Sequence, residues 1–344
     1  MIKFDEKYFL QTLEELLNID STTSLYEEIQ KYITTKLDSL NVEYEITNKG
    51  GVIASFGGKA NPLCFTAHVD DIGLMVRHIN DNGTLKVCMI GGLYPANCME
   101  ENVRIYTRNN KIYSGTICHN PSSIHVTEDE IRKTVPDYDK NVVIVLDNDV
   151  KNKDDVRKLG IDVGDIIALD TKFKYVNGYL KSRFLDDKAS AAILFTALKY
   201  LKENNINIKR KIYFYFAMYE EIGHGTTYMP KDIKDMIALD IAPTGFNQTS
   251  DEKKVSIFAK DSRFPYHYGL TTELRNVAID NNINFVMDIF TPHYGTDCDP
   301  SISAGYDIRH AAFGFGTSNT HAYERTHIDG IKETYKLLLA YLLK

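Results

Sequence analysis

The stretch PLCFTAHVDDIGLMV, residues 62–76, decides the architecture. From Leu63 to Ala67 it is almost wholly apolar and does not alternate, as a strand covered on both faces of a parallel sheet requires. It stops at His68, and Asp70 and Asp71 follow. In open α/β sheets the carboxyl ends of the strands border the crevice where ligands bind, so a histidine and acids at such an end are candidates for a site. If the sheet carries one, other apolar strands must end in the same way.

Four further segments do. KIYFYFAMY (211–219) runs into Glu220 and Glu221, MIALD (236–240) closes on Asp240, and HAAFGFGT (310–317) leads to His321. SRFLDDKAS (182–190) carries Asp186 and Asp187 into the amphipathic helix 188–203. Each has an ordinary reading by itself: a locally hydrogen-bonded histidine, a solvated Glu-Glu turn, an aspartate helix cap. Taken together they favour metal, because unpaired charges beside a core are costly. A set of imidazole and carboxylate donors suits zinc, cobalt or manganese and excludes a thiolate site.

Working outward, two helical patterns open the chain, about 9–17 and 26–40, followed by the strands VEYEITN and GVIASF. From 73 to 173 the texture becomes short strands such as LKVCMI, VRIYTR, KIYSGTI and NVVIVLD, with Gly and Asn turns and one helical stretch near 128–134. The α/β alternation then resumes and runs to a closing helix. The expectation is an α/β fold: a three-layer α/β/α catalytic domain with a mixed sheet from residues 1–72 and 174–344. A small β-rich, barrel-like domain, residues 73–173, is inserted in it.

Composition narrows the function. The 344 residues hold 40 basic and 47 acidic side chains, a net charge of −7, with the lysines dispersed. No nucleic-acid or anionic-membrane footprint is expected, and no run reaches the roughly 18 apolar residues of a membrane span. Five cysteines without a C-x-x-C pair predict neither a disulfide framework nor a zinc–thiolate centre. The N-terminus lacks the uninterrupted apolar stretch of a signal peptide, so a cytoplasmic location is expected.

The motifs AHVDDIGLMV, GGLYP (91–95), GIDVGD (160–165), SRFLDDKAS, EEIG (220–223) and the late His321 are those of a family. By them the chain resembles the M42 metallo-aminopeptidases, the glutamyl and deblocking aminopeptidase group of the MH clan, over nearly its whole length. Ligand order is the most specific feature: 118 positions separate His68 from Asp186, which puts the insertion between them. In the related M20 enzymes the extra domain comes after the metal-binding segments, and M18 enzymes are usually longer.

The resemblance implies hydrolysis of the N-terminal peptide bond with two divalent ions, zinc or cobalt. Asp186 would bridge them, with His68 and Asp240 completing one and Glu221 and His321 the other. Glu220 would be the general base, and Asp70 would accept a hydrogen bond from the outer nitrogen of His68. A cis peptide is implied at Asp186–Asp187, and the inserted domain would mediate homo-oligomer assembly, often a dodecamer, with peptides as substrates. Glu220 and Glu221, adjacent on an extended segment, would point to opposite sides and divide the work. His310 and His327 compete with His321, which is preferred because it lies just past the apolar strand. Arg309, Tyr294, Gly295, Thr296 and Asp297 fall in the region expected to shape the substrate pocket. Asp71 and Lys188 stand where the family commonly has Glu and Arg, and the segment around His321 departs from its usual pattern. The rival functions are another hydrolase of the same fold, endoglucanase-like or a deacylase, and a non-catalytic scaffold.

Overall fold

The computed structural model describes residues 3–344. The chain divides into two compact units: everything up to Asp70 together with Lys172–Lys344, and Asp71–Thr171 between them.

The first unit is built on a mixed sheet. Its four central strands, Arg210–Ala217, Ala60–His68, Asp235–Leu239 and Arg309–Thr317, run parallel in that spatial order. Val52–Gly57 and Glu43–Ile46 extend it antiparallel on one side, and Val255–Lys260 with Phe285–Ile289 on the other. The non-alternating apolar runs of the sequence are here because both faces are covered. On one face Phe65 stacks on Phe214 at 6.2 Å and meets Tyr341 at 6.4 Å, while Phe216 stacks on Phe195 at 4.5 Å. This face packs on the helices Leu185–Glu203 and Ile328–Leu342, with Glu6–Leu17 laid beside the first. Truncating Phe195 to Ala would cost roughly 3–5 kcal/mol, since the ring has no exposed surface.

The opposite face follows from the strands' period of two. Cys64, Tyr213, Tyr215, Met236 and Ala238 form one apolar cluster with Cys298, Tyr266 and Phe290. Its cover is thinner: the six-residue helix Cys298–Ser303 packs on two of the central strands. The α/β expectation is borne out. Thr66 and His68 share this parity, so the side chain that ends the central strand faces the thinly covered side.

The second unit is a closed antiparallel barrel of Gly73–Ile79, Leu85–Ile90, Val142–Leu146, Ile112–His119, Asn102–Tyr106 and Ile166–Leu169. Alternation sends Leu74, Val76, Leu85, Val87, Val103, Ile105, Ile144 and Ile167 inward, all buried, and closure removes the open edges. The helix near residue 130 is shorter than its pattern, Asp129–Arg132, because its apolar Ile131 is exposed and buries no face. Among the described residues no helix is long and apolar enough to cross a membrane.

Candidate metal centre

All four parallel strands deliver a polar residue at the same end of the sheet. His68 is the last residue of its strand, Asp240 follows Leu239, Glu220 and Glu221 lie just beyond Ala217, and His321 lies four residues past Thr317. Asp186 joins them from the start of the helix Leu185–Glu203, where Asp186 and Asp187 have non-helical dihedrals. The Asp186–Asp187 peptide is cis. Four residues at these turns are left-handed without being glycine: Phe184 at φ 63°, Tyr219 at 68°, Asn319 at 58° and His321 itself at 59°. Such conformations cost about 1–3 kcal/mol each and persist only where the surroundings over-determine them.

The distances give the cluster its logic. The two carboxylate oxygens of Asp186 face two different histidines: Oδ1 lies 3.2 Å from Nε2 of His68, and Oδ2 lies 3.5 Å from Nε2 of His321. Glu221 Oε2 is 3.6 Å from His321 Nε2, and Glu220 Oε2 is 3.7 Å from His68 Nε2. Donor atoms of His68, Asp186 and Glu221 lie within 4.8 Å of one another, as do those of His68, Asp187 and Asp240. His310 and His327 are elsewhere. His310 packs against Tyr266, and His327 caps the last helix by accepting from the Asp329 N–H.

Several roles differ from the expectation. The His68 Nδ1 hydrogen bond is made to the Asp70 main-chain carbonyl at 3.0 Å, whereas the Asp70 carboxylate stands 3.7 Å away. That carboxylate instead accepts from the main-chain N–H groups of Glu220 (3.0 Å) and Glu221 (3.4 Å) and from the Thr23 hydroxyl (2.7 Å). Glu220 and Glu221 do not alternate on a strand. They begin a 3₁₀ turn, Glu220–Ile222, where successive side chains are about 120° apart, and by that rotation each glutamate reaches a different histidine.

Arg309 is a correction. It begins its strand opposite Asp235, at the sheet end remote from Asp240, and binds both Asp235 oxygens at 2.7 and 2.9 Å and Glu273 at 2.9 Å. The strand carries the chain away from Arg309 toward His321, so closeness in sequence misled. Thr296 is 1% exposed and spends its hydroxyl on Tyr266 at 3.0 Å, so it presents nothing to a substrate. Gly295 serves the same loop, since a side chain there would come within 2.9 Å of the Asp299 carboxylate. Asp297 lies buried beneath the centre and accepts from Thr66 at 2.8 Å. Tyr294 borders the cluster, its hydroxyl donating to the carbonyl of Ile241, the residue after Asp240, at 2.5 Å.

Two carboxylates outside the expected set hold the main chain of the cluster. Asp187 Oδ2 accepts from the His68 N–H at 3.2 Å. Glu324, 2% exposed, accepts from the His321 N–H on Oε1 at 3.1 Å and from the Asp186 N–H on Oε2 at 3.0 Å. The one sequence signal for Glu324 was an acid three residues after the candidate histidine.

The donor chemistry of these residues fits divalent metal. Nδ1 of His68 is committed to the Asp70 carbonyl, which leaves Nε2 turned toward a carboxylate oxygen of Asp186 at 3.2 Å, an imidazole and carboxylate pair able to share a cation. Burial opposes charge on both histidines, yet Asp186 and its neighbouring carboxylates hold His68 well above the imidazole range and push His321 up to about 11. Burial raises Glu220 and Asp240 well above the carboxylate range and Glu221 to about 8. Asp186 is lowered despite its burial, by hydrogen bonds to His321 and His68.

A family profile described as M42 glutamyl aminopeptidase matches residues 50–337. YhfE of Bacillus subtilis (strain 168), which carries an aminopeptidase name, is 36% identical over 337 residues, 97% of this chain and 96% of that protein. The solved TET1 peptidase of Pyrococcus horikoshii, described as assembling into a tetrahedron or a large octahedral shell, has a similar fold. Its TM-score is 0.85 at 23% identity, over 97% of this chain and 99% of that one. A Thermotoga maritima structure described as an endoglucanase is similar at TM-score 0.72 and 18% identity, over 96% of each chain.

Proposed function

Because the chain belongs to the M42 glutamyl aminopeptidase family, we propose that it removes the N-terminal residue of peptides with two divalent ions, zinc or cobalt. His68, Asp186, Glu221, Asp240 and His321 would hold them, with Glu220 as general base. The observation that carries this reading is Asp186, whose two oxygens are divided between His68 and His321. Bound there, the ions would supply Lewis acidity toward the scissile carbonyl and make a water acidic enough to yield its proton near neutral pH.

The chain's own groups do the rest. The Glu220 carboxylate would take the proton of the attacking water and return it to the leaving amine. The Asp70 carboxylate steadies that glutamate through its main-chain N–H, and the Asp70 carbonyl fixes the His68 tautomer. The acidic surplus of the cluster favours a free N-terminal ammonium over an internal peptide, which limits cleavage to the first bond. The barrel unit would mediate self-association, a reading supported by the shells described for the P. horikoshii peptidase.

A carboxylate glycosidase is the rival reading. A retaining pair needs carboxyl groups roughly 5–5.5 Å apart facing one sugar, and it leaves His68 and His321 without work. Aminoacyl and glycosyl chromogenic substrates, assayed with added Co²⁺ or Zn²⁺ and again after chelation, separate the two. Aminoacyl hydrolysis that vanishes on chelation is the expected result, and glycosyl hydrolysis or full activity in chelator overturns the proposal.

A further inference from the structure

We propose that Glu324 is a positioning residue that pre-sets the second ion site by locking His321 against Asp186. The inference rests on the two-ion reading above. Glu324 stands at the start of the short strand Glu324–His327, which pairs antiparallel with Tyr179–Ser182 so that Glu324 lies opposite Ser182. The ladder therefore fixes its main chain to the segment that leads into Asp186. From there the side chain reaches two N–H groups 135 residues apart in sequence, those of Asp186 (3.0 Å) and His321 (3.1 Å), one on each oxygen.

Both oxygens being committed to main-chain donors, Glu324 acts through its neighbours. The chain it grips needs gripping: His321 sits in the left-handed region at φ 59°, a conformation a non-glycine residue leaves unless held. The side chains that depend on the clamp, the His321 ring and Asp186 Oδ2, face each other at 3.5 Å. His68 has separate supports, the Asp70 carbonyl and the Asp187 carboxylate. Loss of Glu324 should thus weaken one ion site far more than the other. Groups that orient ligands from behind typically contribute 10–100-fold in metal affinity, and that range is expected here for the site containing His321.

The test uses the full chain as wild type, Glu324→Gln and Glu324→Ala, each stripped and titrated with Zn²⁺ by calorimetry and with Co²⁺ by visible absorption. Wild type should take up two ions. Glu324→Ala should keep the tighter one and bind the second roughly 10–100-fold more weakly, with kcat recovering as Co²⁺ is raised. Glu324→Gln, which retains one acceptor, should fall between. Circular dichroism establishes that each variant is folded; should the alanine variant unfold, the glutamine variant decides. A folded variant binding both ions as wild type does, or losing both equally, overturns the positioning role while leaving the two-ion reading intact. A wild-type chain that binds fewer than two ions overturns both.

Discussion

Glu220 and Glu221 are neighbours on one turn, yet each approaches a different histidine, at 3.7 and 3.6 Å. The division predicts opposite phenotypes for one chemical change. Glu220→Gln keeps shape and removes the proton acceptor, so bound metal should stay at two ions per chain while kcat falls by roughly 10²–10⁴. Glu221→Gln should weaken the ion shared with His321. Metal analysis and turnover on the same preparations check both, and the roles are exchanged if Glu220→Gln is the variant that loses metal. At this scale Asp70 carries a second consequence. Its carboxylate holds the N–H groups of both glutamates, so Asp70→Asn should lower kcat through Glu220 without releasing the ion at His68, whose Nδ1 is fixed by the Asp70 main chain.

Among the elements, the strand Arg309–Thr317 does two jobs at its two ends. Near the site, Gly314 leaves the space that the Asp240 main chain fills; a side chain there would lie 1.5 Å from the Asp240 carbonyl oxygen. Gly314→Ala should therefore displace Asp240, costing at least the 1–3 kcal/mol typical of overpacking, and should reduce metal uptake along with the melting temperature. At the far end, Arg309 serves stability. Burial opposes ionisation of Asp235, but hydrogen bonds from Arg309 and Arg210 outweigh it and hold the carboxyl below its ordinary value. A depressed folded pKa contributes stability above the unfolded value, about 3.9, which is lost as pH falls through the folded one. Arg309→Ala should hence cost roughly 1–3 kcal/mol at pH 7, progressively less below about pH 4, with KM for peptides unchanged. A raised KM at unaltered stability would return Arg309 to the substrate pocket.

For the whole molecule, the prediction concerns assembly. If the barrel Asp71–Thr171 mediates self-association, sedimentation should find a particle many times the mass of one chain. Such a particle should admit short peptides and exclude folded proteins. A strictly monomeric enzyme that cleaves both equally well would refute the enclosed-particle reading.

What the sequence determined by itself was whatever depends on short-range pattern. The apolar run before His68 and its counterparts before Glu220 and Asp240 specify buried strands, and a buried strand's end is the one place its polar residues can gather. Fold and candidate donors were legible for that reason. The choice of His321 over His310 and His327 followed from the same strand-end argument. What the tertiary structure alone decided were contacts between segments with no shared period. Glu324 meets Asp186 because two short strands pair with Ser182 opposite it, and Asp70 turns its carboxylate to the Glu220 turn rather than to His68. Arg309, close in sequence to the site loop, lies at the other end of the sheet because a strand intervenes. Sequence distance measures chain length, whereas hydrogen bonds and ion pairs respond to distances of about 3 Å that are set only when the sheet closes.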